Sequence, residues 1–126
     1  MILGTGIDMV EIDRIESSIA QFGDKFLQRV FLPEEIAYAS SCKNSAAHFA
    51  ARFAAKEAVS KAFGTGIGTD LAWHDMEVFR LPSGAPSLRL HANGLTLANN
   101  RGVREVLLSL THTRTSAAAV AILLGS

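Results

Sequence analysis

Apolar residues recur along this chain with two different periods, and the switches between them mark out the elements. Residues 1–10 alternate in the short rhythm of a strand, with Gly4, Gly6 and Asp8 on one face. From Ile12 the period lengthens: Ile12, Ile15, Ile19 and Phe22 stand at helical spacing, and Gly23 suits a left-handed stop, which predicts an amphipathic helix of about three turns. Phe26, Val30 and Phe31 read as a short apolar turn. Pro33 followed by Glu34 and Glu35 reads as a helix start, and that helix fades near Ser41. Asn44 or Ser45 then caps the longest helix, AAHFAARFAAKEAVSKAF, which ends at Gly64 and is apolar nearly all round. Such a helix is covered on most sides, so its few charges must reach an edge or be paired.

Beyond the loop at 64–68, residues 76–81 alternate like a strand, 82–85 form a turn, and Leu88, Leu90 and Ala92 make the returning face of a hairpin. Asn93 is expected to cap a brief helix through Leu97 that stops by Gly102, and residues 105–113 and 116–124 read as two strands joined by a tight turn. This order predicts one α+β domain over residues 1–126, with a mainly antiparallel sheet packed on the long central helix. A Rossmann reading of GTGIG fails because it follows a helix instead of linking a strand to one, and the Lys-Ser or Lys-Thr of a P-loop is missing.

Composition narrows the function classes. The chain has 126 residues, 48% of them hydrophobic, 19% charged, and a formal net charge of zero. That balance gives no sign of a nucleic-acid-coating or membrane-seeking protein. Cys42 is the only cysteine, so no internal disulfide forms and Cys42 reads as a bystander in a reducing compartment. With no signal-peptide pattern and no long uncharged apolar run, a cytoplasmic location is expected.

The candidate chemistry lies on the long helix and the first strand. Glu57 falls beside Lys61 on a stripe shared with Ala46, Ala50 and Ala54, which is either a simple ion pair or a groove where a ligand lies against the helix. Arg52, Lys56 and Ser60 form a second polar stripe, read as a solvated edge. Asp8, an acid on the glycine-bearing face of an apolar strand, needs a cation or a metal as partner. Asp8 and Glu57 together would offer hard oxygen ligands of the kind Mg²⁺ prefers, with Lys61 free to neutralise phosphate. His112 ends a strand face with Val106, Leu108 and Leu110, either as a satisfied turn residue or as a donor to a ligand at the sheet edge. His48 and His91 read as surface positions, and Trp73, His74 and Asp75 are assigned no chemistry.

These residues resemble the holo-acyl-carrier-protein synthases, small bacterial 4′-phosphopantetheinyl transferases, over nearly the whole chain. GIDMVEIDRI at 6–15 looks like the family's first motif, FAARFAAKEAVSKAFGTGIG at 49–68 like its second, and LSLTHT at 108–113 like a weaker third. The resemblance implies transfer of the phosphopantetheine arm of coenzyme A to a serine of an apo-acyl carrier protein in fatty-acid synthesis. It implies Mg²⁺ held by Asp8 and Glu57, with Glu57, a water that it orients, or Lys61 as the base. Lys61, Gly64, Gly66, Arg52 and His112 would bind coenzyme A. Arg14, Lys25, Phe26 and Arg29 would dock the acidic carrier, although Asp13, Glu16 and Asp24 dilute that patch. A homotrimer with active sites at its subunit interfaces is also implied. The alternative is a non-catalytic module of the same fold that binds coenzyme A or a carrier. Two departures from the family pattern are mild: Leu32 stands where a better helix cap is common, and Thr111 where serine often precedes the histidine.

Overall fold

The computed structural model describes residues 1–126. Strand β1 (Ile2–Glu11) runs directly into α1 (Ile12–Phe22), followed by α2 (Asp24–Val30), α3 (Pro33–Ser41) and the long α4 (Ser45–Phe63). After a 3₁₀ turn at Trp73–Asp75 come β2 (Met76–Arg80), β3 (Pro86–Leu90), α5 (Ala92–Arg101), β4 (Val103–His112) and β5 (Ser116–Gly125). The predicted antiparallel sheet is divided in two, a three-stranded sheet in the order β1-β5-β4 and a two-stranded β2-β3 hairpin.

Small side chains allow α4 to lie unusually close to the larger sheet. Ala117, Ala119 and Ala121 of β5 are buried with Ala50, Ala54, Ala55 and Ala58 of α4 in one core. The closest approach is to β1. A Cβ built on Gly6 would stand 1.9 Å from the Ala58 carbonyl oxygen, and one on Gly4 would stand 2.3 Å from that of Ala62. Backbone meets backbone there, which no other residue type permits.

Two segments depart from the sequence reading. The expected apolar turn at Phe26–Phe31 is helix α2, whose Leu27 and Val30 are buried. The brief helix placed at 93–97 runs from Ala92 to Arg101, with His91 rather than Asn93 at its N-cap. The helix α2 and the true start of α5 were missed because each begins without a capping side-chain hydrogen bond.

The stripe read as a solvated edge is interior: Arg52, Lys56 and Ser60 are all buried. The Lys56 ammonium donates to Glu35 Oε1 at 2.7 Å, to the Val30 carbonyl at 2.7 Å and to the Trp73 carbonyl at 3.2 Å. Glu35 in turn accepts from the backbone N–H groups of Leu32 and Val78, each at 2.8 Å. Burial pulls the Lys56 pKa down, while the charge and hydrogen bond of Glu35 oppose that shift. Sequence spacing could not reveal this, since all three partners of Lys56 come from outside α4.

Gly6→Ala is expected to destabilise the fold by about 3 kcal/mol, because the methyl group meets helix backbone that cannot yield. Chemical denaturation followed by circular dichroism checks this; an unchanged midpoint would mean that the two backbones are not in contact.

Candidate active site

The contact of β1 with the last turns of α4 assembles the first group of polar side chains. Asp8 lies just beyond Gly6 on the strand, and the Lys61 ammonium reaches it at 3.0 Å while also donating to the Ile7 carbonyl at 3.1 Å. Asp8 thus has the cationic partner its position demands. Glu57, half-buried one helical turn before Lys61, has its pKa raised by burial and then by the negative charge of Asp8; Lys61 and Arg14 act in the opposite direction. Two neighbouring carboxylates with one lysine, bonded to Asp8, are a concentration of negative charge that a further cation would relieve.

The α4 helix stops at Gly64, which takes a left-handed φ of 78°. The Gly64 amide donates to the Lys61 carbonyl, and those of Thr65 and Gly66 donate to Ser60. These amides close the helix instead of cradling an anion. Gly64 and Gly66 leave an open wall beside Lys61, since a Cβ at either would meet nothing within 4 Å.

A second group gathers elsewhere. His48, Arg52, Arg80 and His112 line a cleft of about 190 Å³ together with Gly84 and Pro86, and no acid lines it. The Arg52 guanidinium packs over the Tyr38 ring at 4.6 Å, yet its buried Nε has no hydrogen-bond partner. Burial lowers the Arg52 pKa from its usual value. A buried cation with an unsatisfied donor beside two imidazoles and another arginine is arranged to receive an anion. His48, expected to be a surface position, is therefore part of this cleft, and its spacing one turn before Arg52 was the signal available. Arg80 arrives from β2, which spacing along α4 could not show.

The two groups do not meet within one chain. At about 100° per residue, Glu57 and Lys61 lie half a turn around α4 from His48 and Arg52 respectively. The cationic cleft includes none of Asp8, Glu57 and Lys61.

The remaining candidates lie on α1 and α2. Arg14, Lys25 and Arg29 are exposed, whereas Phe26 is half-buried with its ring 6.4 Å from that of Phe31. Arg14 lies 5.9 Å from the centre of the Phe53 ring and near enough to Glu57 to favour its ionisation, so this surface adjoins the acids. His91 is bonded to Glu77 at 2.8 Å, and Cys42 is a free thiol.

Residues 4–121 match the 4′-phosphopantetheinyl transferase superfamily, and the chain belongs to it. A holo-[acyl-carrier-protein] synthase of Koribacter versatilis is 50% identical over 123 residues, covering 98% of each chain. That of Solibacter usitatus is 47% identical over 113 residues, covering 90% of each. Among solved structures, the Helicobacter pylori holo-[acyl-carrier-protein] synthase in complex with coenzyme A superposes with a TM-score of 0.86 at 32% identity, over 95% of this chain and 99% of that one. The Bacillus anthracis synthase in complex with coenzyme A (3′,5′-ADP) gives a TM-score of 0.84 at 37% identity, over 100% and 99%.

The raised Glu57 pKa means that the folded chain binds this proton more tightly than the unfolded one. Its contribution to stability is present at low pH and is lost as pH rises through the folded value. Glu57→Gln is therefore expected to melt slightly above the wild type at neutral pH without added metal, with the gap closing as pH falls. A lower melting temperature at neutral pH would contradict the charge repulsion.

Proposed function

We propose that this chain transfers 4′-phosphopantetheine from coenzyme A to a serine of an apo-acyl carrier protein, releasing adenosine 3′,5′-bisphosphate, as a cytoplasmic enzyme of fatty-acid synthesis. The observation that carries this is the pairing of two unlike sites: carboxylates with a lysine at the end of α4, and an acid-free cationic cleft on its other side. The first suits a reacting pyrophosphate and the second a phosphate monoester beside its nucleoside.

Arg52 and His112 bind the 3′-phosphate side of coenzyme A, with Gly84 and Pro86 walling the cleft. Lys61 contacts the pyrophosphate, and Gly64 and Gly66 leave room for it to pass. The carboxylates fit Mg²⁺: they are hard oxygen donors, burial and then the charge of Asp8 raise the Glu57 pKa, and no third His, Cys, Asp or Glu joins them, leaving positions for water and phosphate oxygens. Mg²⁺ bound by Asp8 and Glu57 would neutralise the pyrophosphate and favour departure of the bisphosphate. The carrier serine Oγ attacks the β-phosphorus as the bond to the bridging oxygen of the α-phosphate breaks. Glu57, or a water that it orients, takes the serine proton. Lys61 as the base is the competing assignment.

Arg14, Lys25 and Arg29 receive the acidic carrier, with Phe26 at the joint. Because Arg14 adjoins Glu57, docking there brings the serine to the acids. The separation of the two sites around α4 is met by a second copy supplying the cleft, in a homotrimer with active sites between subunits. The outer face of the β1-β5-β4 sheet supports self-association, since Ile7, Met9, Leu107 and Val120 are exposed on it, Met9 by 72%.

Mass spectrometry of an apo-carrier incubated with the chain, coenzyme A and Mg²⁺ should show the gain of one phosphopantetheine arm, lost with EDTA. Asp8→Ala and Glu57→Ala should each lower turnover by more than about a hundredfold while the chain stays folded. Coenzyme A binding without any gain across several carriers would favour the non-catalytic module, and near-normal turnover in both variants would sink the metal assignment.

A further inference from the structure

His48 occupies a particular place in the cationic cleft. Its ring centre lies 6.0 Å from that of His112 on β4 and 6.0 Å from that of Tyr38 on α3. Arg52 faces it from its own helix, and Arg80 reaches the same cleft from β2. The charged and titratable groups around it are therefore Tyr38, Arg52, Arg80 and His112, and no carboxylate is among the cleft residues. The buried Arg52 Nε has no hydrogen-bond partner.

An imidazole in this company gives up its proton readily while the cleft is empty. Burial, and then the positive charges of Arg52, His112 and Arg80, lower the His48 pKa. An entering phosphate monoester, doubly charged above its second pKa of about 6, reverses the local field and favours the imidazolium. On the reading of this cleft as the seat of the 3′-phosphate, we propose that His48 takes up a proton as the phosphate monoester binds, and so makes selectivity for coenzyme A over 3′-dephospho-coenzyme A depend on pH.

A histidine whose pKa is higher in the complex than in the free chain adds affinity that is full below the free value. That affinity is lost as pH rises through the bound value. Selectivity therefore falls as pH rises above neutrality, where the phosphate itself no longer titrates. A merely structural His48, packed between Tyr38 and His112, would give no such slope.

Isothermal calorimetry on the full chain tests this, with coenzyme A and 3′-dephospho-coenzyme A as probes at a fixed Mg²⁺ concentration. Titrations from about pH 6.5 to about pH 8.5, in two buffers of different ionisation enthalpy, give both the affinity ratio and the protons taken up. The wild type is expected to prefer coenzyme A, with net proton uptake and a preference that falls several-fold across the range. His48→Phe, which keeps the ring packing, and His48→Gln, which keeps a polar side chain, should both lose a large part of the uptake and flatten the ratio. Unchanged uptake and slope in both variants would overturn the proposal while the phosphate seat stands. Equal affinity for the two probes at every pH in the wild type would overturn the phosphate seat, and the proposal with it.

Discussion

The short distance between β1 and the last turns of α4 is the constraint on which the acid site of this molecule depends. Gly4 and Gly6 allow the strand backbone to rest on the carbonyl oxygens of Ala62 and Ala58, and the small alanines of β5 share the core with those of the helix. One side chain of ordinary size at Gly6 would lift the strand. Asp8, two residues along, would then leave the reach of Lys61 and Glu57. The cost of bringing two acids together is met by packing that has no freedom to relax, which is how a small fold holds a repulsive pair in place.

A second constraint supports the other side of the helix. The buried Lys56 and Glu35 tie α4 to the end of α2, to α3 and to the turn at Trp73. Removing either charge would leave the other buried without its counter-charge, at a cost of about 3–5 kcal/mol. Glu35 also favours the charged state of Arg52, which stands between the acidic interior and the acid-free cleft. The cleft's positive character is thus maintained from beneath, while its open side is left for a ligand.

Much of this was legible in the chain. The shift from alternation to helical spacing located β1, α1 and α4, and the match of Glu57 with Lys61 and of Asp8 with a glycine-bearing face identified the acid site. What stayed hidden depends on distant partners. Arg52, Lys56 and Ser60 look like a polar edge on a helical wheel, and only Glu35, Tyr38 and the turn at Trp73 show why they are inside. The helix α2 is short and lacks a capping side chain, so its apolar residues read as a turn. His48 was visible one turn from Arg52, but Arg80 and His112 come to it through the fold.

The acids and the cationic cleft lie on opposite sides of α4, and the proposed function has two chains act on one coenzyme A. Mixing two inactive variants tests this most directly: Asp8→Ala, which keeps the cleft, and Arg52→Ala, which keeps the acids, co-expressed and purified as hybrid oligomers. Some interfaces in a symmetric assembly would then combine an intact acid site with an intact cleft. Carrier modification is expected to return in the hybrids at a fraction of the wild-type rate. Hybrids that form but stay as inactive as either parent would contradict a shared site, and would place all of its residues within a single chain.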